Sequence, residues 1–582
     1  MNVFSLLALI GGLALFLYGM KIMGDGLEKQ AGGSLKNVLK KMTSNPFKGM
    51  LLGAGVTAII QSSSATTVML VGFVNSGIMQ LGQAIGVIMG ANVGTTVTAW
   101  LLSLTAIPAD SLLLQMLKPV NFVPIFAIIG VIFLMFTKKE KFKDAALILL
   151  GFSILIFGMN MMSGAVAPLA NDPQFASFLT VFSNPLFGIL AGTLITAIIQ
   201  SSSASVGILQ ALSLTSSITY ATAIPIIIGQ NIGTCVTALI ASIGANKDAK
   251  RVAIVHLFFN IIGAGVLLTL FYILNAIFQF SFMSMPINAA EIAIVHSIFN
   301  ICATAILLPF TKQLEKLAYI VIKDTSKKQH YQLLDERLFA TPAVAISQAK
   351  RYTSEMADGC QQALYAVDRI IRNYNDKDAA VITKCENKLD RYEDEIGSYL
   401  IELSAESLTA HDSREVSKLL HSIGDFERIS DHAIGILKIL SELHAKEIDF
   451  SDEAKKQLLV LSKATIDILS NTAYAFAHDD TEAATHIEPL EQVIDYLRSQ
   501  MKRQHIERLQ NNVCTLELGI SFLDILTDFE RIADHCSNIG ACIIQIKEHR
   551  LAVHEYLNAV KNNENAEFIA QYEEYFKKYS LS

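Results

Sequence analysis

Two clusters of uncharged hydrogen-bonding side chains lie inside strongly apolar sequence. Gln61, Ser62, Ser63 and Ser64 form one Gln-Ser-Ser-Ser tetrad, and Gln200, Ser201, Ser202 and Ser203 form a second. Their surroundings match as well: residues 45–65 read NPFKGMLLGAGVTAIIQSSSA and residues 184–204 read NPLFGILAGTLITAIIQSSSA. Hydroxyls and amides are costly in hydrocarbon unless they are hydrogen-bonded or line a polar cavity. A duplicated cluster of this kind therefore points to a solute site built from two halves. Small residues also ease helix packing, but that reading suits a lone serine better than a repeated tetrad.

The repeat extends beyond the tetrads. Residues 90–99 (GANVGTTVTA) recur at 229–238 (GQNIGTCVTA), and 12–23 (GLALFLYGMKIM) at 151–162 (GFSILIFGMNMM), always 139 positions apart. Glycine weakens a helix by about 1 kcal/mol relative to alanine, so the Gly-Asn-x-Gly-Thr runs are expected to interrupt their helices. Freed amides would attract anions and freed carbonyls small cations. Thr66, Asn92, Thr95, Asn231 and Thr234 are candidate ligands or supports for such a cation. The duplicated blocks contain no carboxylate, and Lys48 is the only basic residue of the tetrad and Gly-Asn-x-Gly-Thr blocks. An anion held there would need a co-bound cation, and sodium is expected rather than a proton relayed through Asp or Glu.

Those blocks must be positioned by membrane helices. The 582-residue chain has no Asp or Glu from 31 to 109, whereas charges come every few residues from 329 onward. A membrane half precedes a soluble half, so the net charge of -7 averages over two solvents. Seven cysteines without a CxxC pair fit a reducing compartment for the soluble half. The first twenty residues lack a basic n-region and an A-x-A site, and read as a first span.

A span needs about 20 apolar residues, and seven segments qualify: 4–23, 82–104, 118–137, 145–163, 222–243, 251–274 and 289–310. Each tetrad instead follows an apolar arm of roughly 15 residues, about 22 Å of helix, and precedes another short arm. Re-entrant hairpins with the tetrads at their tips are expected. With the N-terminus outside, the loops 24–45, 138–144 and 244–251 fall inside and carry the lysines, including Lys41 and Lys138. The loops 105–117, 164–184 and 275–288 carry no Lys or Arg, as the positive-inside rule requires. The two repeats then insert with opposite orientation.

The soluble half, 343–560, has helical periodicity and its own duplication, DFERISDH at 425–432 and DFERIADH at 528–535. Carboxylates four apart share a helix face, as in Glu427 with Asp431 and Glu530 with Asp534. Such faces could gather a metal, or be solvated and paired with Arg428 and Arg531. No nucleophilic triad, Gly-rich phosphate loop or zinc spacing is present, so an enzyme is not expected.

The tetrads with the GANVGTT and GQNIGTC blocks resemble the type II sodium-phosphate cotransporter family over residues 1–310. That resemblance implies inorganic phosphate held by Gln61–Ser64 and Gln200–Ser203, sodium as coupling ion, and alternating access. HLFFN at 256–260 is similar to a family segment and recurs as HSIFN at 296–300; His256 and His296 are read as satisfied packing residues. Residues 343–560 resemble the PhoU family, helical bundles that can bind multinuclear metals, which would make Glu427, Asp431, Glu530 and Asp534 ligands of a divalent metal. Gly435, opposite Asn538, departs from that pattern.

The expected architecture is all-α. It comprises a polytopic domain over 1–310 (repeats at about 1–140 and 141–280, an extra helix at about 289–310) and a linker at 311–342. A cytoplasmic PhoU-like bundle at 343–560 and a tail at 561–582 follow. Expected partners are phosphate, sodium, the lipid bilayer and a second copy in a homodimer, with no nucleic acid. The location expected is a bacterial inner membrane. The function expected is sodium-coupled phosphate transport, with export, another oxyanion or a phosphate-sensing role as alternatives.

Overall fold

The computed structural model describes residues 3–40, 45–104, 119–137, 139–171, 173–214, 218–323, 334–406, 408–511, 514–548 and 566–580. It divides into two units, Met1–Ala343 and Val344–Ser582. Apart from one isolated bridge, Thr219 with Pro286, the described elements are helical. The first unit contains α1 (Val3–Lys40), α2 (Pro46–Ile60), α3 (Ser63–Asn75), α4 (Leu81–Ser103), α5 (Pro119–Phe136), α6 (Glu140–Val166) and α7 (Pro173–Thr180). It continues with α8 (Pro185–Ile199), α9 (Ser202–Ser213), α10 (Tyr220–Gly233), α11 (Cys235–Ala241), α12 (Lys247–Phe278), α13 (Ala289–Leu307) and α14 (Thr311–Val321).

Among the described residues six helices are long and apolar enough to cross a membrane. A seventh arises only if Ser177–Ser183 and Pro185–Ile199, bent by 101°, count as one. The segment expected to span at 118–137 is the shorter α5. The loop 105–117, Lys41 and Lys138 lie outside the described residues.

Glycine sets how closely the repeats approach. The equivalent helices α1 and α6 cross antiparallel: a Cβ on Gly12 would stand 2.9 Å from the Gly158 carbonyl, and one on Gly151 2.8 Å from the Gly19 carbonyl. Gly12 and Gly151 are repeat equivalents, as are Gly19 and Gly158, so the contact maps onto itself under a two-fold operation. Larger residues would push the helices apart and remove the dispersion contacts that hold such close-packed helices together.

The glycines of the GANVG and GQNIG blocks act in the same way, and in the first copy this corrects the expected helix break. Helix α4 runs unbroken through residues 90–96; in the second copy the backbone at Thr234 keeps helical dihedrals between α10 and α11. A Cβ on Gly90 would lie 1.9 Å from the Met50 carbonyl of α2, and one on Gly229 2.2 Å from the Ile189 carbonyl of α8. These glycines admit the hairpin arm against the span rather than open the helix.

Residues 334–341, expected within a linker, are packed onto the first unit. Asn75 Nδ2 donates to the buried Asp335 carboxylate at 2.7 Å, and Arg337 donates to the same carboxylate and to the carbonyls of Ala241 and Ile243. Leu338 is fully buried against Gly72 of α3. Asn75 also accepts from the Asn246 backbone N–H, so the end of the first hairpin is held from two sides.

The second unit is formed by α15 (Pro342–Arg372), α16 (Asp376–Leu403), α17 (Ala410–Ala445), α18 (Asp452–His478), α19 (Thr481–Thr485), α20 (Ile487–Gln510), α21 (Leu516–Glu548) and α22 (Ala566–Lys578). Buried aliphatic and aromatic residues at helical spacing, such as Leu419, Ile423, Phe426 and Ile429 of α17, form its core. The expected tail at 561–582 contains α22, whose end is anchored where Lys578 and Tyr579 both donate to Asp467.

The α1–α6 crossing yields a direct test. Gly19→Ala would put its Cβ 2.3 Å from the Leu155 nitrogen, whereas Gly164 has nothing within 4 Å. Overpacking of this kind costs about 1–3 kcal/mol. Gly19→Ala should lower the thermal midpoint of purified protein by several degrees, and Gly164→Ala should leave it within about a degree.

Candidate functional site

Each hairpin is built the same way. Asn45 and Asn184 cap the first arms, accepting from the N–H groups of Phe47 and Leu186, and Pro46 and Pro185 occupy the first helical positions. Proline there sacrifices an N–H that would have no helical partner. The arms end at Gln61 and Gln200, both left-handed with φ 59°. That conformation costs a non-glycine residue roughly 1–2 kcal/mol. Ser62 and Ser201 are extended and cap the second arms, their hydroxyl oxygens accepting from the N–H groups of Ala65 and Ala204. A two-residue reversal thus exposes the start of α3 and of α9, where helix amides and the dipole favour an anion.

The two tips meet. Ser64 Oγ donates to the Gln200 carbonyl at 3.5 Å. A cavity of about 320 Å³ is lined by all eight tetrad residues, with Ile60, Ala65 and the α1 residues Leu17, Met20, Lys21, Gly24 and Asp25. Gln61 is tied into the protein: its Nε2 donates to the Ala58 carbonyl and its Oε1 accepts from Thr98 Oγ1 at 2.8 Å.

Lys21 and Asp25 were missed by the sequence reading, which found no carboxylate in the duplicated blocks and built the preference for sodium on that. Lys21 falls in the repeated block 12–23, opposite Asn160 of the second copy, and Asp25 lies just beyond that block; both arrive from α1. The signal was present, because ionisable residues four apart in an apolar span are a site candidate in their own right.

The five candidate cation residues are buried but do not line this cavity. Thr66 accepts from Thr57 Oγ1 and donates to the Ser62 carbonyl, bracing the first tip. Asn92 donates to Asn260 Oδ1 at 2.8 Å. Thr95, Asn231 and Thr234 donate to carbonyls of their own helices, those of Ala91, Ile227 and Asn231.

The histidines also differ from expectation. His256 and His296 are buried, yet neither ring nitrogen of either has a protein hydrogen-bond partner. The recurrent His-x-x-x-Asn spacing serves the asparagines, since Asn260 and Asn300 donate to the backbone carbonyls of His256 and His296.

In the second unit the duplicated octets cross-pair. His432 Nδ1 lies 2.9 Å from Asp528 Oδ1, His535 Nδ1 lies 2.9 Å from Asp425 Oδ1, and the two rings stack at 5.8 Å. Gly435 now has a reason: a Cβ there would stand 3.1 Å from the Asp528 carboxylate. Among the described residues no three His, Cys, Asp or Glu side chains are grouped to hold an ion. Arg498 and Arg531 instead engage Glu530 and Asp534 at 3.2 and 3.4 Å. Burial, then the adjacent Asp431 carboxylate, pushes Glu427 up to about 7.

Residues 15–164 and 154–291 match the family described as Na+/Pi-cotransporter, and residues 353–440 and 458–543 match the PhoU domain. The "Uncharacterized protein YqeW" of Bacillus subtilis is 32% identical over 254 residues, 44% of this chain and 78% of that protein. The "Putative inorganic phosphate export protein YjbB" of Escherichia coli K12 is 24% identical across 93% of this chain and 98% of its own length. The "Sodium-dependent phosphate transport protein 2A" of Rattus norvegicus is 34% identical over 98 residues, 16% of this chain and 15% of that protein.

The Glu427–Asp431 pair makes a pH prediction. A carboxylate with a raised folded pKa binds its proton more tightly when folded, so the stability it contributes is present in acid and lost as pH rises from about 4.5 to about 7. The wild-type second unit, followed by its unfolding transition in full-length protein, should lose more stability between pH 5 and 7 than Glu427→Gln. Parallel pH profiles would contradict the assignment.

Proposed function

The chain belongs to the Na+/Pi-cotransporter family, with PhoU domains following its membrane part, and on that premise we propose that it is an exporter of inorganic phosphate working by alternating access. The family is one of phosphate transporters, not of enzymes. The observation that carries the reading is the single cavity on which both tetrads and the starts of α3 and α9 converge. In this proposal Gln61, Ser62, Ser63, Ser64, Gln200, Ser201, Ser202 and Ser203 bind the anion through amides and hydroxyls. Thr66, Asn92, Thr95, Asn231 and Thr234 hold the tips and the flanking spans in register.

The self-mapping contact of α1 with α6 supports inverted repeats, and arms of 15 and 13 or 15 and 12 residues support re-entrant hairpins, too short to cross roughly 30 Å of hydrocarbon. Outward direction is favoured over the uptake first expected, because relatives matched along nearly the whole chain are named for phosphate export. Sodium as the coupling ion rests on the family's description and on the shorter match to a sodium-dependent protein. The charge pattern of the loops favours an external N-terminus and a cytoplasmic PhoU part in an inner membrane.

Both half-sites should contribute to one bound anion. Ser63→Ala and Ser202→Ala should each weaken phosphate binding by more than tenfold, since a hydrogen bond to a charged group is worth about 1.5–3 kcal/mol. The double variant should depart from additivity, as residues sharing a ligand do. Labelled-phosphate binding to purified protein measures this, and wild-type affinity in both single variants would remove the tetrads from the site.

A further inference from the structure

We propose that Lys21 and Asp25 set the charge of the tetrad cavity, Lys21 meeting the phosphate and Asp25 holding the sodium ion that accompanies it. The inference rests on the phosphate reading above. Among the described residues all other side chains lining the cavity are uncharged. The two residues are four apart on α1, and together with Leu17 and Gly24 they follow the spacing of one helix face. That face is fixed against the first tip: a Cβ on Gly24 would stand 3.2 Å from the carbonyl of Ile60, the residue before Gln61.

The chemistry follows from counting charge. The lysine and the carboxylate neutralise one another in the empty cavity, and phosphate then adds one or two negative charges. An ammonium beside the hydroxyls and helix amides attracts the anion directly. A carboxylate in the same cavity repels it, and the repulsion is relieved when a cation binds the carboxylate. Asp25 therefore makes anion affinity conditional on the cation. Hydroxyls of the tetrads and the Gln200 carbonyl, which already faces Ser64, offer further hard oxygen ligands. A proton on the same carboxylate would satisfy the same charge count, so the test must separate the two. Among the described residues the charged groups acting on Asp25 are Lys21 and Lys29 of α1, and Asp144 of α6 lies alongside Gly26.

The test is binding of labelled inorganic phosphate to full-length purified protein, titrated with sodium at fixed ionic strength and at two pH values. Wild-type affinity should rise with sodium. Lys21→Met should bind at least tenfold more weakly at every sodium concentration, while Lys21→Arg retains most of the affinity. Asp25→Asn should bind phosphate without sodium and lose the sodium dependence. Matching thermal midpoints establish that the variants fold, and Lys21→Gln replaces Lys21→Met if that variant does not. Wild-type binding with unaltered behaviour in the variants would overturn this inference alone. Absence of phosphate binding in the wild type under all conditions would overturn the phosphate reading and this inference with it. Affinity that follows pH rather than sodium, and loses that response in Asp25→Asn, would overturn the sodium assignment in favour of a proton.

Discussion

The membrane unit depends on backbone touching backbone. Gly12 and Gly19 of α1 meet Gly158 and Gly151 of α6 at distances that leave no room for a Cβ, and Gly90 and Gly229 do the same for the hairpin arms. Lipid tails are as apolar as leucine, so helices in a bilayer are held by close packing rather than by water exclusion. Without these contacts the two halves would not bring their hairpin tips to one place. The tips themselves hold an unfavourable backbone at Gln61 and Gln200, which the Thr98–Gln61 bond and the serine caps offset. Packing at the glycines and polar chemistry at the tips are therefore one construction.

Charge then decides what such a cavity can do. Moving one elementary charge through a membrane potential is worth about 2.3 kcal/mol per 100 mV. On the proposed reading, with Lys21 and Asp25 cancelling, the charge of the loaded site is that of phosphate plus whatever cations join it. An inside-negative potential drives a net negative load outward, and enough bound sodium reverses the sign. On the proposed reading, relatives named for export and for sodium-dependent transport would differ in the balance of gradients.

Much of this was legible in the chain. The 139-residue repeat located the tetrads, and the short apolar arms expected on either side of them are the helices α2, α3, α8 and α9. Glycine was misread: propensity suggested helix breaks at residues 90–96, but tertiary packing used those glycines for close approach, and propensity does not report a neighbour. Lys21 and Asp25 lie outside the tetrad and Gly-Asn-x-Gly-Thr blocks and join the cavity from α1, so the chemistry of those blocks alone did not reveal them. In the second unit, acidic spacing alone could not distinguish a metal ligand from an ion-paired carboxylate such as Glu530, because its partner Arg498 lies on another helix. The docking of Asp335 and Leu338 onto α3 had no local signal either; a short charge-mixed stretch reads as a connector whatever it touches.

The most direct test of the central claim is phosphate flux in proteoliposomes containing the full-length protein, with sodium, pH and membrane potential imposed independently. The account predicts that labelled phosphate crosses only when protein is present, that sodium on the same side as phosphate accelerates it, and that collapsing the pH gradient leaves the rate unchanged. Flux that ignores sodium and follows a pH gradient would contradict the coupling, and no phosphate flux under any gradient would contradict the transport reading itself.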